Sequence, residues 1–154
     1  MRFILVDRIR ALEPGRSIRA EKTMAPDEEL FQDHFPGFPV VPGVLLTEMM
    51  AQATGKCLDA ERRPRGKPIL AQIKSASFRE WVRPGETAEI TATILSSLDD
   101  VATARCFIEV GGRKACSAEL LLAFVPADRF APSRDDVLER YLAQHPEAGG
   151  ATPV

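Results

Sequence analysis

Residues 44–60, VLLTEMMAQATGKCLDA, constrain the fold more than any other stretch of the chain. Leu, Met, Ala, Gln and Glu are good helix formers, and no proline interrupts them. The segment therefore predicts one helix, about 25 Å long at 1.5 Å per residue. ERRPRGK (61–67), with its proline and glycine, ends the helix in a surface turn. A helix this apolar must be covered on several sides, and it carries one carboxylate, Glu48, in its first half.

The covering material lies mostly in the second half of the chain, where the apolar period drops to two. Ala88, Ile90, Ala92 and Ile94 share one side of a strand, with Glu89, Thr91 and Thr93 on the other. Ala102, Ala104, Cys106, Ile108 and Val110 line one face of the next. Gly111-Gly112 marks a type I′ hairpin, since both central positions need positive φ. Cys116, Ala118, Leu120, Leu122 and Phe124 form the apolar face of the return strand. Ile69, Ala71 and Ile73 predict a further strand before Pro84-Gly85. Phe3–Val6 and Ser17–Lys22 predict two short strands around the Pro14-Gly15 turn. Strands apolar on one side only are half-buried and antiparallel. A curled antiparallel sheet wrapped around one long central helix buries both, which is the α+β hot-dog architecture. One small sheet leaves such a helix incompletely covered, so a dimer is expected.

The domain is expected to occupy residues 1–126, with 127–154 as an extension. Within the extension, residues 133–145 predict an amphipathic helix with Ser133 as N-cap and Val137, Leu138, Tyr141 and Leu142 as its apolar side. PEAGGATPV (146–154) predicts disorder, and His145 an exposed residue. The net charge of -2 supplies no general attraction for nucleic acid or a membrane surface. No segment is apolar for the length of a bilayer span, and charges interrupt the first fifteen residues, unlike a signal peptide. Cys57, Cys106 and Cys116 have no CxxC spacing and read as reduced core thiols of a cytoplasmic protein.

Candidate chemistry clusters around the helix entrance. A buried Glu48 needs a partner, and Gln52, one turn on, can supply its amide. Pro42-Gly43 opens the helix, whose first N–H groups lack intrahelical acceptors and sit at the positive end of the macrodipole. The Gly43 N–H is thus a candidate donor to a developing oxyanion. Pro36, Pro39 and Pro42 stiffen the loop carrying His34, a proton-transfer group near neutral pH. Together these residues predict an acid–base site.

HFPGFPVVPGVLLTEMMAQATG (34–55) resembles the signature of the β-hydroxyacyl-acyl-carrier-protein dehydratases of bacterial fatty acid synthesis, the FabZ and FabA type. Its Glu, fourteen residues after the histidine, is more similar to the FabZ branch. ILVDRIRALEPGRSI and FREWVRPGE (78–86) extend the resemblance over roughly residues 2 to 125. It implies that His34 removes the α-proton of a 3-hydroxyacyl thioester. It implies that Glu48, from the neighbouring subunit, assists departure of the 3-hydroxyl as water. Gly43 corresponds to the glycine holding the thioester oxygen, Val40 to the residue whose carbonyl orients the imidazole, and Gln52 to the glutamine beside the acid. The resemblance further implies a homodimer, in the family often assembled as a trimer of dimers, acting on acyl-carrier-protein or acyl-CoA substrates without metal or organic cofactor.

The chain departs from the family pattern at two positions. Asp33 stands where glycine is usual, beside His34. Trp81 replaces a common proline and is expected either at the acyl tunnel entrance or in a packing role at a dimer contact; the packing of Met49 bears on tunnel depth. Arg62, Arg63, Arg65, Lys67, Arg79 and Arg83 are candidates for docking an acidic carrier protein, or ordinary surface charge. Two other readings remain open: a catalytically weak hot-dog subunit that binds acyl carriers, and a hot-dog thioesterase.

Overall fold

The computed structural model describes residues 1–149. Six strands form one antiparallel sheet: β1 (Arg8–Glu13), β2 (Ser17–Thr23), β3 (Lys67–Phe78), β4 (Thr87–Ser97), β5 (Val101–Val110) and β6 (Arg113–Val125). Their order across the sheet is β1-β2-β4-β5-β6-β3, so β1 and β3 are the edges. A short turn of helix, α1 (Leu30–Asp33), precedes the central helix α2 (Gly43–Asp59), and α3 (Asp136–Gln144) closes the chain.

The core forms where the helix meets the concave face of the sheet. Met49, Met50, Ala53 and Cys57 of α2 are buried against Ile90, Ala92, Ala104, Cys106 and Leu120. The small residues of the central strands let the sheet approach the helix closely, while Met side chains fill the remaining gaps. Each Leu or Met removed from water here contributes roughly 1.5–3 kcal/mol. Polar groups trapped in the layer are satisfied: Thr54 donates to the Met50 carbonyl at 2.8 Å, one turn back along the helix. This is the hot-dog arrangement, α+β with a sheet wrapped around one helix.

Expected and observed elements agree where the period is clean. The helix runs 43–59 against an expected 44–60, and the alternating faces of β4, β5 and β6 point inward as read. Gly111 and Gly112 take φ of 57° and 79°, the left-handed values a two-residue hairpin demands.

Three expectations are corrected. Phe3–Val6 is not a strand; β1 begins at Arg8. Leu5 and Val6 are fully buried, but the Leu5 N–H is spent on the Gln52 side chain instead of a strand ladder. The third strand extends to Phe78, well past Ile73, because bulges between Leu70 and Gln72 and between Ile73 and Ser75 break its alternation. The cap of α3 is Asp135, not Ser133: its carboxylate accepts the Leu138 N–H at 3.1 Å.

The extension packs on the same core. Leu138 and Tyr141 are buried, and Ala148 packs beside them within a turn over residues 146–149. That part of the expected disordered tail is therefore ordered, and residues 150–154 lie outside the described residues. His145 is half-buried, stacked on Tyr141 with ring centroids 4.0 Å apart. All three cysteines are buried free thiols, and burial pushes Cys57 up to about 12 and Cys106 and Cys116 to about 11. No described helix is long and apolar enough to cross a membrane.

Candidate active site

The loop before α2 is a closed knot. Its first residue, His34, ends α1, donating its N–H to the Leu30 carbonyl at 3.0 Å. Phe35 and Phe38 exchange backbone hydrogen bonds of 3.0 and 2.9 Å, and the Val40 N–H returns to the His34 carbonyl at 3.0 Å. The imidazole stacks on the Phe35 ring with centroids 4.0 Å apart. A further bond, from the Val41 N–H to the Val82 carbonyl at 2.7 Å, ties the loop to the segment after β3. Prolines limit the backbone freedom of this loop, and these bonds remove most of what remains.

Gly43 follows as the first residue of α2, where its N–H has no intrahelical acceptor. The Phe78 ring of edge strand β3 covers it, and a Cβ at this position would meet the ring carbons at 3.1 to 3.2 Å. Only a residue without a side chain fits under that ring without displacing it.

Glu48 is half-buried one and a half turns further along. Gln52 donates from Nε2 to Glu48 Oε1 at 3.1 Å, so the expected amide–carboxyl contact is present. Both residues line a cleft of about 1330 Å³, together with Ala51, Gly55, Ile69 and Phe130. His34 is not among the residues lining it. Gly43 and Glu48 lie about 140° apart around the helix at 3.6 residues per turn. Within the single chain, then, His34 and Glu48 do not line one common cleft.

The remaining expected site residues divide. Trp81 is 61% exposed and meets the Phe38 ring edge-to-face at 5.6 Å, beside the His34 loop. The Arg83 guanidinium lies 5.9 Å from the same Phe38 ring, and Arg79 is exposed on the segment between Phe78 and Trp81. Met49 is fully buried in the core and does not line the cleft. The basic residues divide: Arg62, Arg63 and Lys67 line the cleft, whereas Arg65, Arg79 and Arg83 do not. Arg62 pairs with Glu139 of α3, and Lys67 sits 5.1 Å from the Phe130 ring. Arg65 is engaged inside the fold, paired with Glu61 and bonded to Ser97 Oγ at 2.6 Å and the Leu98 carbonyl at 2.9 Å. Those contacts withdraw it from any docking surface; Arg63 stays exposed. Asp33 is exposed at the end of α1.

Two contributors escaped the sequence reading. Phe78 shields Gly43, and Val82 holds the loop through its carbonyl. Both lie in the FREWV segment, which carries the resemblance, but no local pattern says which of its atoms meet the loop.

At the far end of α2, Asp59 is pushed up to about 6, first by burial and then by the nearby Asp135 carboxylate, against the opposing pull of Lys67, Lys56 and Arg62. Lys56 donates to Asp135 at 2.7 Å, which fastens the extension to the helix.

Residues 1–119 match the family model described as a FabA-like domain. The 3-hydroxyacyl-[acyl-carrier-protein] dehydratase FabZ of Oenococcus oeni is 42% identical over 120 residues, covering 77% of this chain and 86% of that protein. Among solved structures, the dehydratase heterocomplex ApeI:P from Xenorhabdus doucetiae superposes with a TM-score of 0.57 at 16% identity, over 77% of this chain and 96% of that one. A Streptococcus mutans protein bound to acetyl CoA superposes at 0.61 with 9% identity, over 82% of this chain and 94% of that one. At those identities the two structures speak for the fold alone.

Proposed function

Because the chain belongs to the FabA-like family, we propose that it dehydrates (3R)-hydroxyacyl thioesters carried on acyl carrier protein to trans-2-enoyl thioesters, as a step of fatty acid synthesis. The single observation that carries the reading is the 42% identity to a FabZ dehydratase over most of both chains.

The site residues fit that chemistry. His34 takes the proton from the carbon next to the thioester carbonyl. The electron pair moves onto the carbonyl oxygen, which the Gly43 N–H receives at the positive end of α2. As that charge returns, the bond to the 3-hydroxyl breaks, and Glu48 assists by protonating the departing oxygen or orienting a water that does. One water leaves and one carbon–carbon double bond forms. The Val40 carbonyl orients the imidazole, and Gln52 steadies Glu48. General acid–base assistance of this kind contributes about 10²–10⁴-fold.

The working unit is a homodimer in which Glu48 of one protomer faces His34 of the other. Support comes from the edge strand. Residues 71–80 of β3 and the segment after it are exposed throughout, and Ile69, Ile73, Phe78 and Val44 leave apolar surface open beside them. A long bare edge of this kind is a template for a second copy, as hydrogen-bond donor and acceptor row and as apolar area. Arg79 and Arg83, next to the His34 loop, suit the approach of an acidic carrier, with Trp81 at the mouth. Three reduced thiols fit a cytosolic setting.

Complementation tests the reading directly. His34→Ala and Glu48→Gln proteins, each inactive alone, are unfolded together, refolded as a mixture and assayed by enoyl absorbance on crotonyl or 3-hydroxybutyryl thioesters. A shared site regains turnover, since each mixed dimer holds one intact His34–Glu48 pair. Two inactive parents that stay inactive when mixed place both groups in one protomer. Thiol release in place of enoyl formation by the wild type identifies a thioesterase, and a folded protein inert on every chain length identifies a binding subunit.

A further inference from the structure

Gln52 is the group that touches Glu48, and the segment ahead of β1 holds Gln52. Its Oε1 accepts the Leu5 N–H at 2.8 Å, and its Nε2 lies 3.2 Å from the Phe3 carbonyl oxygen. A primary amide has one accepting end and one donating end. Reversing it would set N–H against N–H at Leu5 and oxygen against oxygen at Phe3. Only one orientation satisfies both backbone groups. In that orientation the second Nε2 hydrogen is directed to Glu48 Oε1, 3.1 Å away. One carboxyl oxygen is thereby held by a donor whose own direction is set by main chain.

The segment is itself anchored away from the cleft. Leu5 and Val6 are fully buried. Lys22 Nζ donates to the Ile4 carbonyl at 3.0 Å and to Asp7 Oδ1 at 2.9 Å, and Asp7 Oδ2 accepts the Thr23 N–H at 2.8 Å. The Asp7 N–H reaches the Glu21 carbonyl at 2.8 Å. Arg2, Phe3 and Ile4 also line the cleft that contains Glu48 and Gln52. The cleft wall and the clamp on the amide are thus one piece of chain, tied down by β2.

We propose that the backbone of Phe3–Leu5 is a positioning element for the dehydration: acting through Gln52, it holds the Glu48 carboxyl in the direction the reaction needs. The inference rests on the role given to Glu48 above and adds a structural cause for its placement. A carboxyl group at the end of a Glu side chain has several rotamers, and a misplacement of about 1 Å at a reacting centre can cost about 10²-fold in rate. The clamp does not touch substrate. Its effect belongs in kcat, where a wall residue would act on KM.

A double-mutant cycle separates the two. Leu5→Pro removes the N–H that Gln52 accepts, Gln52→Ala removes the amide, and the third protein carries both changes. Each single change is expected to lower kcat about 10- to 100-fold with KM within about twofold. The double variant is expected to be no slower than Gln52→Ala, since the segment has nothing left to act through. Should Leu5→Pro fail to fold, Lys22→Met frees the Ile4 carbonyl from outside the cleft. It is expected to give a smaller kcat loss that likewise vanishes in the Gln52→Ala background. Multiplying effects, or losses confined to melting temperature or KM, overturn the clamp. A wild type without dehydratase activity, or a Glu48→Gln protein at full rate, overturns the functional reading instead. With those two controls intact, a failed cycle counts against the clamp alone.

Discussion

The two ends of α2 are built on opposite plans. At the far end, charge is answered within the chain: Lys56 meets Asp135, Arg62 meets Glu139, and Arg65 meets Glu61. Buried Leu138 and Tyr141 of α3 press the extension onto the same region. At the near end little is answered. Gly43 has a helix-start N–H without an intrahelical acceptor, Val44 is 77% exposed, and Phe78 and Trp81 stand half or more in solvent. One end is fastened and the other is left available, although the same continuous helix supplies both. Stability and chemistry can therefore be perturbed separately, and mutations at the two ends should report on different quantities.

The largest separation is expected from His34→Ala. It should reduce dehydration by about 10²–10⁴-fold while the melting temperature stays near the wild-type value, because the side chain lies on a loop already closed by main-chain bonds. Calorimetry beside the enoyl assay checks both halves; a large drop in melting temperature would make the loop structural and erase the contrast. Next comes Leu138→Ala at the fastened end, expected to cost about 2–5 kcal/mol in denaturant unfolding through the cavity it leaves. Lys56→Met should cost less, about 1–3 kcal/mol, by leaving the Asp135 carboxylate without its partner. Equal losses of activity and stability in either variant would show that the ends are coupled.

The smallest effect is a pH dependence. Burial and Asp135 raise Asp59 to about 6 from an ordinary 3.8, so the folded chain holds its proton more tightly than the unfolded one. A raised carboxyl contributes stability that is fully present below the unfolded value and lost as pH rises through about 6. With the shift discounted for solvent screening at this half-buried group, Asp59→Asn should stabilise the protein by about 1 kcal/mol at pH 8, and the gain should fade towards pH 4. A gain constant over that range would mean that charge at Asp59 is not its cause.

Sequence periodicity made most of the architecture readable, for a physical reason. Where one face of an element is buried, as in Ala88–Ile94 or Val101–Val110, burial imposes the period and the residues display it. Where burial is missing, the period goes too. Strand β3 is exposed along 71–80 and bulged twice, so KSAS carried no alternation and the strand looked shorter than it is. Phe3–Val6 misled in the opposite sense: Leu5 and Val6 are buried while Phe3 and Ile4 are exposed, and its backbone bonds go to the side chains of Gln52 and Lys22. Composition reports burial and is silent about which backbone groups pair. The same limit applies to the site. His34, Gly43, Glu48 and Gln52 stand out through residue type and spacing. The shield from Phe78 and the interior commitment of Arg65 depend on residues brought together from distant parts of the chain. Asp135 outcompeted Ser133 as a cap because its side chain also meets Lys56, a residue far away in sequence.

The two register breaks in β3 reach beyond local geometry. A newly synthesised chain carries that rim bare, in a cell crowded with other sheet proteins whose rims are equally able to stick. A straight foreign ribbon can follow a kinked rim for only a few rungs before the ladders fall out of step. A rim bulged in this way is thus a poor flat template for indefinite fibrillar stacking.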